Sequence, residues 1–227
     1  MNTTTIWFFT IAVMAVSFVI QRVLQSKFEK YSQIMNPTGV TGADVARKML
    51  EENGIDDVTV DAVEGNLTDH YNPQTKRVNL SRSVYYGNSV AAAAVAAHEC
   101  GHAIQHKEGY GPLRLRSALV PVVNFANMAV QWVLLAGVLL INIFPPLLWI
   151  GIALFAVTTL FSVITLPVEI NASRRALQWL ESRGGADGRT LAMASDALKW
   201  AAYTYVVAAL GSLGTLFYYV TMANQRR

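Results

Sequence analysis

Residues 91–106 read AAAAVAAHECGHAIQH. The alanines make this stretch a strong helix former, and Ser89 before it and Gly109 after it set the expected limits of the helix. Within it His98, Glu99 and His102 form H-E-x-x-H. Residues four apart share a helix face, so His98 and His102 can aim two imidazoles at one zinc ion. Glu99 stands one step round, where it can take a proton from a water activated at the metal and hand it to a leaving amine. H-E-x-x-H fixes only three positions and also arises on ordinary solvated helices. Here the flanking residues are small and apolar, which predicts a packed helix, and polar groups on a packed helix need partners. Cys100 lies on a different face from both histidines and reads as a small buried hydrophobe rather than a ligand.

Outside this stretch, apolar residues are bunched. Of 227 residues 53% are hydrophobic and 15% charged, an apolar balance for a soluble protein. Four stretches approach the roughly 20 residues that cross a bilayer: Ile6 to Leu24, Leu119 to Phe144, Leu147 to Leu166 and Trp200 to Val220. The expectation is a mainly α-helical integral membrane protein with about four transmembrane helices and a small α+β, gluzincin-like catalytic part made of the zinc helix and a short sheet. The net charge of +3 is dispersed, and no basic stripe with interleaved aromatics points to nucleic acid.

Met1 to Thr5 carries no side-chain charge, whereas Arg22, Lys27 and Lys30 follow the first apolar core. That order reads as an uncleaved anchor leading into the cytoplasm rather than a cleaved signal. Arg114 and Arg116 before the second span, and Arg174 and Arg175 after the third, put both outer ends of a transmembrane hairpin on the cytoplasmic side. The expected divisions are an anchor (1–24), a cytoplasmic catalytic region (25–118), the hairpin (119–166), a second cytoplasmic segment (167–199) and a last span (200–227). Arg226 and Arg227 would end outside if that span crosses fully, so an oblique or re-entrant course is the alternative.

In the polar region, Thr41 and Asp44 form a helix-start pair ahead of an apolar face that ends near Gly54. Val58 to Val63 alternates as a strand, and Leu67 to Tyr71 with Arg77 to Leu80 flank a turn at Asn72-Pro73. This hairpin is either a structural element or the edge on which an extended peptide adds as a further strand.

A catalytic zinc needs a third protein ligand. His106 continues the series at the next turn, but eight residues rise about 12 Å, too far from His98 to share an ion. The metzincin extension also fails, since Gln105 and Glu108 stand where glycine and histidine would be. Glu169, in LPVEINASRR, is the sole acidic residue between Glu108 and Glu181. It is either the third ligand, returned by the hairpin to the side of the zinc helix, or a membrane-flank glutamate paired with Arg174. Asp69, His70 and Glu181 are the next candidates.

The blocks LTDHYNP, VYYGNSVAAAAVAAHECGHAIQH, GYGPLRLRSALVPV and LPVEINASRRA together resemble the YugP-type bacterial membrane zinc metallopeptidases, over nearly the whole chain. The resemblance implies zinc held by His98, His102 and Glu169, with Glu99 catalytic. More distantly the layout is similar to CaaX-processing and HtpX-type proteases, whose second motif carries an aspartate where this chain has Ser173. Asn171 or Ser173 would then support a zinc histidine. His70, Tyr71 and Tyr110 are candidates for steadying an oxyanion or substrate. The functional expectation is a multi-pass bacterial plasma-membrane zinc endopeptidase with a cytoplasmic active site. Its partners would be the lipid bilayer, peptide or membrane-protein substrates and other membrane proteins. The alternative is a non-catalytic zinc-binding scaffold.

Overall fold

The computed structural model describes residues 3–65 and 68–224. Leu67, expected to open the hairpin, and Arg226 and Arg227 lie outside them. The chain is a mainly helical membrane protein with one small sheet. Its elements are α1 (Thr3–Ser32), α2 (Gly42–Glu52), β1 (Thr59–Val63), β2 (His70–Asn72), β3 (Arg77–Ser81), α3 (Arg82–Tyr85), α4 (Val90–Lys107), α5 (Gly111–Leu139), α6 (Pro146–Ser182) and α7 (Gly188–Asn224). Segments 8–32, 111–139, 146–182 and 188–224 are long and apolar enough to cross a membrane.

By backbone proximity the chain divides into two units: residues 1–19, 114–166 and 204–227 form one, and 20–113 with 167–203 the other. In the first unit α5 and α6 form a hairpin around Leu134, Ile141, Leu148 and Ile152. A Cβ on Gly137 would stand 2.7 Å from the Leu148 Cα, so glycine is what lets these helices approach closely. Met128, Trp132 and Phe125 project outward from α5, as suits helices whose solvent is lipid.

The second unit carries the sheet and the zinc-motif helix. Thr41 and Asp44 make a reciprocal capping box at the start of α2. The face of Val45, Ala46, Met49 and Leu50 then packs in one core with the alanines of α4. Cys100 is fully buried there, its thiol directed at the Ala46 carbonyl, and burial pushes its pKa up. Ser89 caps α4 by accepting from the Ala92 N–H. The sheet has the order β1-β3-β2, with β1 parallel and β2 antiparallel to β3. β2, expected over residues 67–71, begins only at His70 and runs on to Asn72. Asp69 is diverted from the ladder, its carboxylate accepting from the backbone N–H and hydroxyl of Ser81.

The sequence reading is corrected most at the helix limits. α5 begins well before Leu119. The start of α7 instead agrees with what the sequence predicts after the Gly184-Gly185 break: it begins at Gly188, and the Asp187 carboxylate caps it by accepting from the Thr190 N–H. α6 does not stop at Leu166 but runs unbroken through Pro167 to Ser182. Proline removes one backbone donor, but helix-forming residues on both sides carry the turn across it. Residues 167–182, read as the start of a separate polar segment, are therefore an extension of the third apolar helix.

That extension lies against α4 within the second unit. A Cβ built on Gly101 would stand 2.7 Å from the Ala172 carbonyl oxygen, so this crossing requires glycine inside the H-E-x-x-H repeat. Forcing a methyl into such a contact costs about 1–3 kcal/mol. Gly101→Ala is expected to lower the detergent-phase melting temperature by several degrees. Gly111→Ala, where nothing lies within 4 Å of the added Cβ, is expected to leave it near wild type; differential scanning fluorimetry compares the two.

Candidate metal centre

α4 presents His98 and His102 one turn apart, their rings 4.9 Å between centroids and nearly perpendicular at 86°. α6 supplies Glu169. Its Oε2 is 3.2 Å from His98 Nε2 and 3.6 Å from His102 Nε2, and one donor atom from each of the three residues lies within 4.8 Å of the others. A tetrahedral zinc shell with bonds of about 2 Å spaces its donors about 3.3 Å apart. The two distances straddle that value. Glu169 is only 4% exposed and His102 8%. Burial opposes protonation of His102, but hydrogen bonding to Glu169 and the charges of Glu99 and Glu169 outweigh it and hold its pKa above the ordinary histidine range. The Glu169 carboxylate thus favours positive charge on the imidazole it meets. Two neutral-capable imidazoles and one carboxylate are also a donor set that suits zinc and leaves a fourth position open.

Each imidazole is held by its second nitrogen. His98 Nδ1 is 3.1 Å from the Ser173 hydroxyl, and His102 Nδ1 is 3.0 Å from Gln105 Oε1. Gln105, fully buried, reaches across to α6. Its amide donates to the Val168 carbonyl at 2.8 Å and to Asn171 Oδ1 at 2.9 Å. Glu99 points a different way: its Oε2 accepts the Tyr71 backbone N–H at 2.9 Å. That donor lies on the edge of β2 turned away from β3, so the general-base candidate is fixed independently of the three donor residues.

The remaining sequence candidates fall as follows. Ser173 contacts a candidate ligand directly. Asn171 stands one step further out, between Gln105 and Arg175 Nε, which donates to it at 2.8 Å. Tyr71 meets the site through its main chain, its hydroxyl being engaged with His106 Nδ1 at 2.8 Å. His106 is not brought to the donor group. His70 is held between the Thr68 carbonyl and Asn79, and Asp69 is taken by Ser81. Tyr110 follows the end of α4, its N–H on the Gln105 carbonyl. Glu181 is exposed near the end of α6, about 18 Å along the helix from Glu169.

The proposed Glu169–Arg174 pair does not form. Five residues along a helix turn to nearly the opposite side, and Arg174 is exposed. Arg175 instead pairs with Glu108 at 2.6 Å. Two residues escaped the sequence reading: Gly101, and Gln105, whose signal was an amide at i+3 from a candidate ligand on a packed helix.

The fold and this constellation define a class: membrane proteins that carry an H-E-x-x-H helix closed by a glutamate from a second helix. Residues 6–224 match the family described as "Putative neutral zinc metallopeptidase", and the chain belongs to that family. It is 47% identical over 213 residues to "Putative membrane protease YugP" of Bacillus subtilis (strain 168), covering 94% of each chain. No solved structure matches it.

If Glu169 completes the donor set, Glu169→Ala purified in detergent will lose most of its zinc by elemental analysis. Glu181→Ala will retain the wild-type content. Full zinc in the Glu169 variant would move the third ligand elsewhere.

Proposed function

We propose that this protein is a membrane-anchored zinc endopeptidase in which His98, His102 and Glu169 hold the metal and Glu99 is the general base. The reading rests above all on one observation: the buried Glu169 carboxylate of α6 converges on both imidazoles of H-E-x-x-H. Bound zinc supplies a Lewis acid that polarises a scissile carbonyl and makes water a competent nucleophile near neutral pH.

The chain's own residues do the rest. The Tyr71 N–H keeps one Glu99 oxygen fixed, so the carboxylate is held ready to accept a proton from the attacking water and to pass it to the leaving nitrogen. Because the Tyr71 N–H points off the sheet, the Tyr71 carbonyl lies on the same open edge of β2, ready to receive an N–H from an extended substrate. Next to that edge is a cavity of about 410 Å³ lined by Tyr71, Ala103, His106, Ile55 and Val58 among others. Ala103 and His106 continue the helix face of Glu99, so a substrate side chain can enter the cavity while its backbone pairs with β2. A structural zinc site closes its fourth position and has no use for a base. The three-donor set and the separately held Glu99 favour catalysis over a binding-only scaffold.

Arg22, Lys27 and Lys30 after the first apolar stretch, with Arg114, Arg116, Arg174 and Arg175 around the hairpin, support a cytoplasmic active site in a bacterial plasma membrane. Substrates are then membrane proteins or peptides reaching that surface, with the bilayer and other membrane proteins as its surroundings. Reporter fusions after Lys30, Glu108 and Arg183 are expected to report cytoplasm, and one within residues 142–146 the outside. An outside signal at Arg183 alone would refute the assignment of Glu169.

Glu99→Gln is expected to retain zinc and the wild-type melting temperature while kcat on a membrane-protein substrate falls about 10²–10⁴-fold. Proteomes of membranes carrying wild type or Glu99→Gln should differ in the proteins they accumulate. Identical proteomes, with only a full deletion differing, would support the scaffold instead.

A further inference from the structure

Hydrogen-bond chemistry fixes the side chain of Gln105 without ambiguity. The Arg175 guanidinium can only donate, so the Asn171 atom it meets is the carbonyl oxygen. The Val168 backbone carbonyl can only accept. The Gln105 group facing both of these must therefore be its NH2, and the opposite end, facing His102 Nδ1 at 3.0 Å, must be the oxygen. An oxygen there demands N–H at Nδ1. The neutral His102 ring then has its lone pair on Nε2, the atom aimed at Glu169. No equivalent logic binds His98, because the Ser173 hydroxyl beside its Nδ1 can donate or accept.

We infer that Gln105 is a positioning residue that holds His102 in the Nδ1–H tautomer with Nε2 free to ligate, and that Val168, Asn171 and Arg175 of α6 hold Gln105 in that orientation. This inference rests on the metallopeptidase reading and adds to it a determinant of metal affinity. The same amide ties α4 to α6 beside the donor residues, so the helix that supplies Glu169 also sets the proton on a histidine of the other helix. The chain of contacts ends at the ion pair of Arg175 with Glu108. Glu108 is half exposed, so its influence is screened, and the effect of substitution decreases outward from Gln105 to Glu108.

Chelator competition on the purified full-length protein measures the zinc affinity of wild type, Gln105→Leu, Gln105→Glu and Glu108→Gln. Gln105→Leu fills a similar volume but offers no acceptor, and its affinity falls about 10–100-fold, the usual cost of losing such a partner. Gln105→Glu keeps an acceptor for Nδ1–H while losing both donors to α6, so it recovers most of that affinity even though its melting temperature drops. Glu108→Gln stays close to wild type. In zinc-loaded wild type labelled with 15N-histidine, His102 shows a protonated Nδ1; this readout needs no variant to fold. The inference is overturned if Gln105→Leu binds zinc as tightly as wild type, if Gln105→Glu is no better than Gln105→Leu, or if Nδ1 carries no proton. Wild type that binds no zinc at all would instead bring down the metallopeptidase reading beneath it.

Discussion

A carboxylate at 4% exposure is costly to keep ionised unless positive charge or donors meet it. Glu169 is met by the imidazoles of His98 and His102, and these come from a helix far away in sequence. This contact ties α6 to α4, and much of the second unit can be read as what it takes to make it. The α4 face is built from alanine so that neighbours can approach. Gly101 sits where the Ala172 carbonyl would meet a side chain. Gln105 and Ser173 occupy the outer nitrogens of the two rings, so neither imidazole is left to rotate.

Glu99 is governed by a different part of the structure. It belongs to the same helix, but its partner is the main chain of β2, and β2 is held by β3 and by the Tyr71–His106 contact. The three donor residues are thus set by helix–helix packing and Glu99 by the sheet. Under the proposed function this division matches two tasks: the donors converge on one point, and the general base stands beside the edge on which a peptide would lie.

Much of this was legible in the sequence because local rules dominated. The alanine-rich run, its Ser89 cap and the i, i+4 histidines specify α4 and the shared face of its two histidines with no tertiary information. Runs of apolar residues likewise gave the four long helices. What the sequence concealed depends on long-range packing. Pro167 looked like a terminus, yet α6 continues through it, and that continuity decides which face Glu169 and Ser173 share. Asp69 matched the strand pattern but is spent on Ser81. In the sequence alone Glu169 fits equally a flank residue paired with Arg174, and only the helix phase of a continuous α6 separates the two. Gln105 registered as a departure from the metzincin pattern, and its role is visible only once α6 is beside it.

X-ray absorption at the zinc edge of the purified, zinc-loaded chain tests the central claim, that α4 and α6 close on one metal through two histidines and one glutamate. The account predicts one zinc per chain. Its first shell should hold only nitrogen and oxygen at about 2.0–2.2 Å, with outer-shell scattering from two imidazoles. A sulfur at about 2.3 Å, which would implicate Cys100, or scattering from a third imidazole would contradict it.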